Sequence, residues 1–389
     1  MRPVQRVAAS LRGRLGRWMW PTVEAGWLDG GGVVVCHDWL TARAGSDKVA
    51  AEIAATVDAQ AVVCFSKADH VVDELGIECP VHESRFGPWA SRGRRWQALL
   101  PLMPIAWRCL ELRGASAVVT SSHATVNAIR ADAKRLCYCH TPMRYAWEWR
   151  LERHRLHWSL RPLLPVVAAV FRFLDRRWSR RVDVYLANSS YVADRIERAY
   201  GRSSVIVHPP IDVAWWRPAD CERGDEFLYA GRLIPYKRAD LVVRAAMAAR
   251  RRLVVAGDGP ELGRLRTLAD DYVRFVVNPD DAELRALYQQ SRAFVYAGIE
   301  DFGMTLVEAQ ACGAPVIARN AGGALDSVDP EFSGRLVDGG DVDVWANALR
   351  DFTDPADDRR RRAHAETFSS ARFAERIRAI LDELAGPVR

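Results

Sequence analysis

Several things are missing from these 389 residues, and each absence narrows the field. No run of about eighteen apolar residues occurs, so no helix is expected to span a bilayer. The Arg-rich start lacks the apolar core of a secretion signal, and export is not expected. Eight cysteines are present, but none has metal-finger spacing, and most lie in apolar strand-like runs such as Val35-Cys36 and Val63-Cys64-Phe65. That placement suits buried, reduced thiols of a cytosolic protein rather than a disulfide framework. Cys137-Tyr138-Cys139-His140 could be read as metal ligands, although alternation puts both thiols on one strand face and no second ligand pair is evident. No Asp-x-Asp stands at a strand end; Asp280-Asp281 begins a helix instead, so no metal is expected. No nucleic-acid module is recognisable.

Charge is unevenly placed. Residues 1–205 carry 30 Lys and Arg against 19 Asp and Glu, and residues 206–389 carry 25 against 30. The basic character therefore belongs to the first half, which points to an anionic partner there: membrane surface, nucleic acid or acidic substrate. Residues 1–31 read as a basic, solvated leader ending at Gly30-Gly31-Gly32. Beyond it, strands alternate with helices: Val33–Cys36, Ala61–Phe65, Ala117–Thr120, Leu136–Cys139 and Val184–Ala187, then Phe227–Tyr229, Arg252–Ala256, Val273–Val276, Ala293–Tyr296 and Val316–Ala318. Alternation of this kind predicts α/β domains with doubly wound parallel sheets. The Pro209-Pro210 break separates two Rossmann-like domains, 32–208 and 209–370, with strand C-termini expected around one cleft.

Two segments carry chemistry. Glu300-Asp301-Phe302-Gly303-Met304-Thr305-Leu306-Val307-Glu308 joins a strand to a helix through a glycine turn. Free N–H groups and the dipole of such a helix start favour an anion, and the flanking carboxylates suit sugar or ribose hydroxyls. Upstream, Gly231-Arg232 and Lys237 follow the end of a strand; an arginine fork and a lysine point charge would neutralise a diphosphate. Charge complementing a helix dipole is the plain alternative for Glu300 and Asp301, and a solvated helix face for Glu308.

With Gly231-Arg232, Lys237, Ala256-Gly257-Asp258-Gly259-Pro260, Glu300-x7-Glu308, Gly322-Gly323-Ala324, His140-Thr141-Pro142 and Asn188-Ser189-Ser190, the chain resembles glycosyltransferase family 4, the retaining group of GT-B architecture. The resemblance runs from about residue 33 to about residue 385 and implies sugar transfer from a nucleotide diphosphate to an acceptor hydroxyl, with no cofactor beyond the donor. It assigns Arg232 and Lys237 to the phosphates with backbone N–H groups after Gly303, Glu300 to the donor sugar, Glu308 to the ribose and His140 to the sugar or leaving phosphate. The last helix, within 371–389, is implied to cross back onto the first domain.

Two departures stand out: Ala44-Gly45-Ser46 where the family usually has two adjacent glycines near the diphosphate, and Val277-Asn278 where it has a glycine and a basic residue near the base. Asn188-Ser189-Ser190 most simply caps a helix starting at Tyr191. The segment Cys139–Glu148 resembles the mannosyltransferases of bacterial surface polysaccharides, which implies GDP-mannose as donor.

Trp and Arg are interleaved at Trp147, Trp149, Arg150, Arg153, Arg155, Trp158 and Arg161, and again at Arg172, Arg176, Arg177, Trp178, Arg180 and Arg181. With Arg92, Arg94, Arg95, Trp96 and Trp107 they read as a membrane-facing surface, which implies a lipid-linked glycan acceptor and a peripheral place on the inner face of the cell membrane. A solvated helix whose tryptophans pack inward is the alternative. Rival functions are a UDP-sugar-dependent transferase, a nucleotide-sugar epimerase or hydrolase on the same fold, and a non-catalytic nucleic-acid binder using the basic half.

Overall fold

The structure, a computed structural model, describes residues 13–23, 31–91, 99–149, 163–354 and 358–385. Much of the 1–31 leader lies outside the described residues, as do Arg92, Arg94, Arg95, Trp96, Arg150, Arg153, Arg155, Trp158 and Arg161. The strands are β1 Val33–His37, β2 Ala61–Cys64, β3 Val81–Glu83, β4 Glu111–Leu112, β5 Ala117–Ser122, β6 Arg130–Ala131, β7 Lys134–Cys139, β8 Val184–Ala187, β9 Val205–Ile206, β10 Phe227–Ala230, β11 Leu253–Ala256, β12 Val273–Val276, β13 Ala293–Tyr296, β14 Val316–Arg319 and β15 Gly334–Val337. They form a seven-stranded sheet in the order β3-β2-β1-β5-β7-β8-β9, a six-stranded sheet in the order β12-β11-β10-β13-β14-β15, and a small β4-β6 pair.

Every pairing in both large sheets is parallel. Parallel sheets are covered on both faces, so their strands read as unbroken apolar runs: Val33–Cys36 in β1, Phe227–Ala230 in β10 and Ala293–Tyr296 in β13. The two domains are of the doubly wound type that the alternation predicts. All ten expected strands appear, with ends moved by no more than two residues. Of the strands in the two large sheets, the sequence reading passed over β3 and β9, which are short, and β15, which opens on glycine and arginine. Val205–Ile206, just ahead of the Pro209-Pro210 break, pairs with β8 at the sheet edge.

By mutual contact the chain divides into two compact units, one of residues 1–188, 192–207 and 374–389, the other of 189–191 and 208–373. Within the first, Arg378 of the Ser370–Ala385 helix donates to the Thr56 carbonyl (3.1 Å). Its core gathers Trp20, Trp107 and Trp178 against Val34, Val63 and Val118. The second unit's core joins Phe227, Tyr229, Phe294 and Trp345. All eight cysteines are free thiols. Among the described residues no helix is long and apolar enough to cross a membrane.

Trp345, on the Val342–Arg350 helix, is fully buried. Trp345→Ala removes its contacts and leaves a cavity, with an expected stability loss of about 4 kcal/mol in urea unfolding.

Candidate active site

In the second unit, β10 and β13 are the two central strands and neighbours, so the turns after them emerge side by side at their C-terminal ends. The first turn runs through Gly231 (φ +147°) and exposed Arg232 to a short 3₁₀ turn, Pro235–Lys237. The second runs Gly298 to Gly303 and enters the Met304–Ala311 helix. Their approach is set by glycine. A Cβ on Gly298 would lie 3.0 Å from both Cα and O of Lys237. On the far side of the Glu300 turn, the Gly323 N–H donates to the Glu300 carbonyl (2.9 Å), and a Cβ on Gly323 would stand 2.2 Å from the Phe302 Cα. The Gly322-Gly323 motif thus braces the loop that presents Glu300.

Lys237 Nζ lies 2.8 Å from Glu300 Oε1, with about a sixth of each side chain exposed. The Tyr296 hydroxyl donates to the same oxygen, and Nζ also sits 5.7 Å from the Tyr296 ring centroid. Tyr296 in turn stacks on Tyr229, centroids 5.6 Å apart and planes 5° from parallel. Burial, reinforced by Glu300, pushes both phenols well above their ordinary range, so both stay protonated. The cation and carboxylate that the sequence reading assigns to different parts of a donor are therefore paired with each other.

Beside them is a pocket of about 440 Å³ lined by Gly231, Arg232, Gly257, Asp258, Gly259 and Asn278, among others. Gly257 (φ +135°) and Gly259 (φ +154°) let the two loops touch, since a Cβ on either would fall within 2.5 Å of a carbonyl oxygen, that of Gly231 or Leu233. Asn278 adopts the left-handed conformation (φ +51°) that asparagine tolerates best after glycine, and its amide donates to Asp258 (3.3 Å).

The remaining expected positions divide. Gly303 is left-handed (φ +88°) and no side chain caps the helix it opens. Asp301, Met304 and Thr305 are half-buried. Phe302 is buried and stacks on His208 at 5.3 Å, which makes it a packing residue. Glu308 is buried and is not among the pocket's lining residues; burial, reinforced by its charge, raises Tyr288 and Cys312.

In the first unit, Gly45 is exposed and opens the Gly45–Thr56 helix. His140 follows β7 and is almost wholly buried. Its Nε2 lies 2.7 Å from the Ser121 hydroxyl, which lies 3.0 Å from His37 Nδ1. His37 Nε2 faces Asp47 at 3.2 Å, a carboxylate partner that keeps the proton on that nitrogen. Burial opposes the Asp47 charge, but the hydrogen bond and charge of His37 outweigh it and its pKa is lowered. Beside them, Asp38 accepts the backbone N–H groups of His123, Ala124, Thr125 and Val126 at 2.7–3.0 Å. Burial, then the neighbouring His123 and His37, pushes His140 well below the usual imidazole range, and burial takes His123 to about 3. Both rings are neutral at pH 7. The sequence reading missed His37, Asp38, Asp47 and Ser121; the visible signal is the polar pair His37-Asp38 at the end of an apolar strand.

The helix expected after Asn188 starts at Ser190, and the Asn188 amide donates to the His140 carbonyl (3.0 Å). The Trp-Arg surface also needs correction. Trp107 and Trp178 are buried, and Trp147 donates its indole N–H to Asp175 (2.8 Å), so these tryptophans pack inward.

Fold and site together define a two-domain α/β protein with a cation–carboxylate pair at the C-terminal ends of two central strands. The family profile for glycosyl transferases group 1 matches residues 220–381, and that for Glycosyltransferase Family 4 matches residues 43–215. The chain belongs to glycosyltransferase family 4. It is 33% identical over 227 residues to a GDP-mannose-dependent alpha-(1-6)-phosphatidylinositol monomannoside mannosyltransferase of Mycobacterium tuberculosis, covering 50% of this chain and 57% of that one. It is 34% identical over 180 residues to a D-inositol 3-phosphate glycosyltransferase of Salinispora arenicola, covering 37% and 40%. The chain thus spans about half the length of the curated relatives it matches. Among solved structures, HepE of Anabaena in complex with UDP and glucose superposes with TM-score 0.67 at 16% identity, covering 90% and 99% of the two chains. Sucrose-phosphate synthase from Thermosynechococcus elongatus gives 0.69 at 17%, covering 91% and 99%. Both likenesses define the GT-B fold.

Two outcomes test this geometry. Gly323→Ala drives a Cβ into the Phe302 backbone and should cost about 2 kcal/mol in urea unfolding. Because the unfolded chain protonates histidine below pH 6.5 while folded His123 stays neutral to about 3, stability should hold above pH 6.5 and fall progressively below it. His123→Gln should flatten that slope in unfolding midpoints measured from pH 7.5 to 4.5.

Proposed function

We propose that this protein transfers a sugar from a nucleotide diphosphate to an acceptor hydroxyl, with retention of the anomeric configuration. The observation that carries this reading is the Lys237–Glu300 pair at the joined ends of β10 and β13, beside a glycine-lined pocket. Breaking the sugar–phosphate bond leaves charge on the diphosphate. Arg232, exposed and planar, and Lys237, a compact point charge, are the groups able to receive it without a metal. Glu300 accepts donor-sugar hydroxyls through its carboxylate, held in place by Lys237 and Tyr296. In this reading Glu308 serves the ribose, Asn278 lies near the base, and neutral His140, its Nε2–H held by the Ser121 hydroxyl, accepts a hydrogen bond from a donor-sugar hydroxyl at Nδ1.

GDP-mannose is the first candidate donor, in keeping with the named donor of the mycobacterial relative. A UDP-sugar is the second reading: the Val277-Asn278 departure leaves the base preference open, and the Anabaena neighbour is in complex with UDP. The acceptor is proposed to be a lipid-linked glycan, reached by a protein resting on the inner face of the cell membrane.

Calorimetric titration of wild type and Glu300→Ala with GDP-mannose, UDP-glucose, UDP-N-acetylglucosamine, GDP and UDP, with no metal added, tests this. GDP-mannose should bind wild type and bind the variant about tenfold or more weakly, while GDP binds both alike. A UDP-sugar bound instead discards the mannosyl assignment, and binding of none discards the donor site.

A further inference from the structure

The Leu164–Ser179 helix buries Ala168, Phe171, Asp175 and Trp178 on one side. Its opposite side is also apolar. Leu163 is 58% exposed, Val166 65%, Val170 53% and Phe173 68%, with Val167 beside them at 43%. Steps of three and four residues align these into one stripe along the helix. Scattered exposed aliphatics are ordinary on a soluble protein, but a continuous stripe of this kind marks a contact surface.

Charge says what covers it. The stripe ends in Arg177, and exposed Arg176 and Arg180 flank its last turns. The helix has one acid, Asp175, and that side chain is buried, bound by Trp147 and Tyr200. The exposed surface of this helix is therefore apolar at one end and purely cationic at the other. A helix of that pattern can sink its apolar end into the acyl boundary while its arginines meet anionic headgroups.

We propose that the outer face of the Leu164–Ser179 helix docks on an anionic bilayer, with Val166, Val170 and Phe173 inserted and Arg177 and Arg180 at the phosphates. This rests on the membrane-side reading above and replaces its surface, since tryptophans expected at the headgroups pack inward.

Flotation with phosphatidylglycerol–phosphatidylcholine vesicles and with phosphatidylcholine vesicles tests it, using the whole chain, a Val170→Asp/Phe173→Asp variant and an Arg177→Glu/Arg180→Glu variant. All four positions are exposed, and circular dichroism together with donor-nucleotide titration checks that each variant is folded. Wild type should float with anionic vesicles only. Each double variant should lose about tenfold or more of that binding, with donor affinity unchanged. Flotation of the Asp variant equal to wild type overturns the proposal for this helix and leaves the membrane reading standing. Failure of wild type to float overturns both. A wild-type dimer in sedimentation velocity that the Asp variant abolishes assigns the stripe to a second copy and also overturns it.

Discussion

The second unit is organised around one electrostatic constraint: a half-buried carboxylate must be held where two loops meet. Glu300 could not stand there alone, because an unpaired charge away from water is costly. Lys237 answers it from the neighbouring strand end, Tyr296 from the strand beneath, and the Tyr229 ring supports Tyr296 from below. Each of these contacts requires the loops to lie closer than side-chain-bearing residues allow. Hence Gly298 stands against Lys237, and Gly322 and Gly323 against the Glu300 turn. The glycines are part of the electrostatics, since they set the distance over which the charges act.

The first unit meets a related demand differently. Its polar groups at the strand ends are buried more deeply, and they are satisfied in a chain from Asp47 through His37 and Ser121 to His140. Asp38 closes the neighbouring loop by taking four consecutive backbone N–H groups. A network that is fully hydrogen-bonded fixes orientation, whereas a partly satisfied one would loosen the site. The network gives His140 one defined hydrogen-bonding direction while burial keeps it uncharged.

Much of this was readable from residues alone. Strands appeared because parallel sheets leave unbroken apolar runs, and the Lys237 and Glu300 loops appeared because charge and glycine cluster just after such runs. What escaped has physical reasons. β9 and β15 are too short or too polar at their start to show a period. The pairing of Lys237 with Glu300 depends on the strand order that sets β10 beside β13, which no local pattern encodes. The Asp47–His37–Ser121–His140 chain likewise joins residues from separate elements. Around the Leu164–Ser179 helix, the basic, aromatic composition was legible but its orientation was not. Indole rings next to arginine suit a headgroup zone and a core edge equally well, and packing against Tyr200 and Asp175 decided for the core.

The use of lysine sharpens the reading of the site. Only four of the 55 cationic residues are lysines: Lys48, Lys67, Lys134 and Lys237. In a chain that otherwise chooses arginine, Lys237 stands over the Tyr296 ring and against Glu300. Arg232, five residues earlier, is exposed, where a fork of donors can turn toward an incoming anion. The two cations thus differ in shape and setting: the compact one is held against the carboxylate, from where it can still face a diphosphate, and the broad one stands exposed, free to turn toward it.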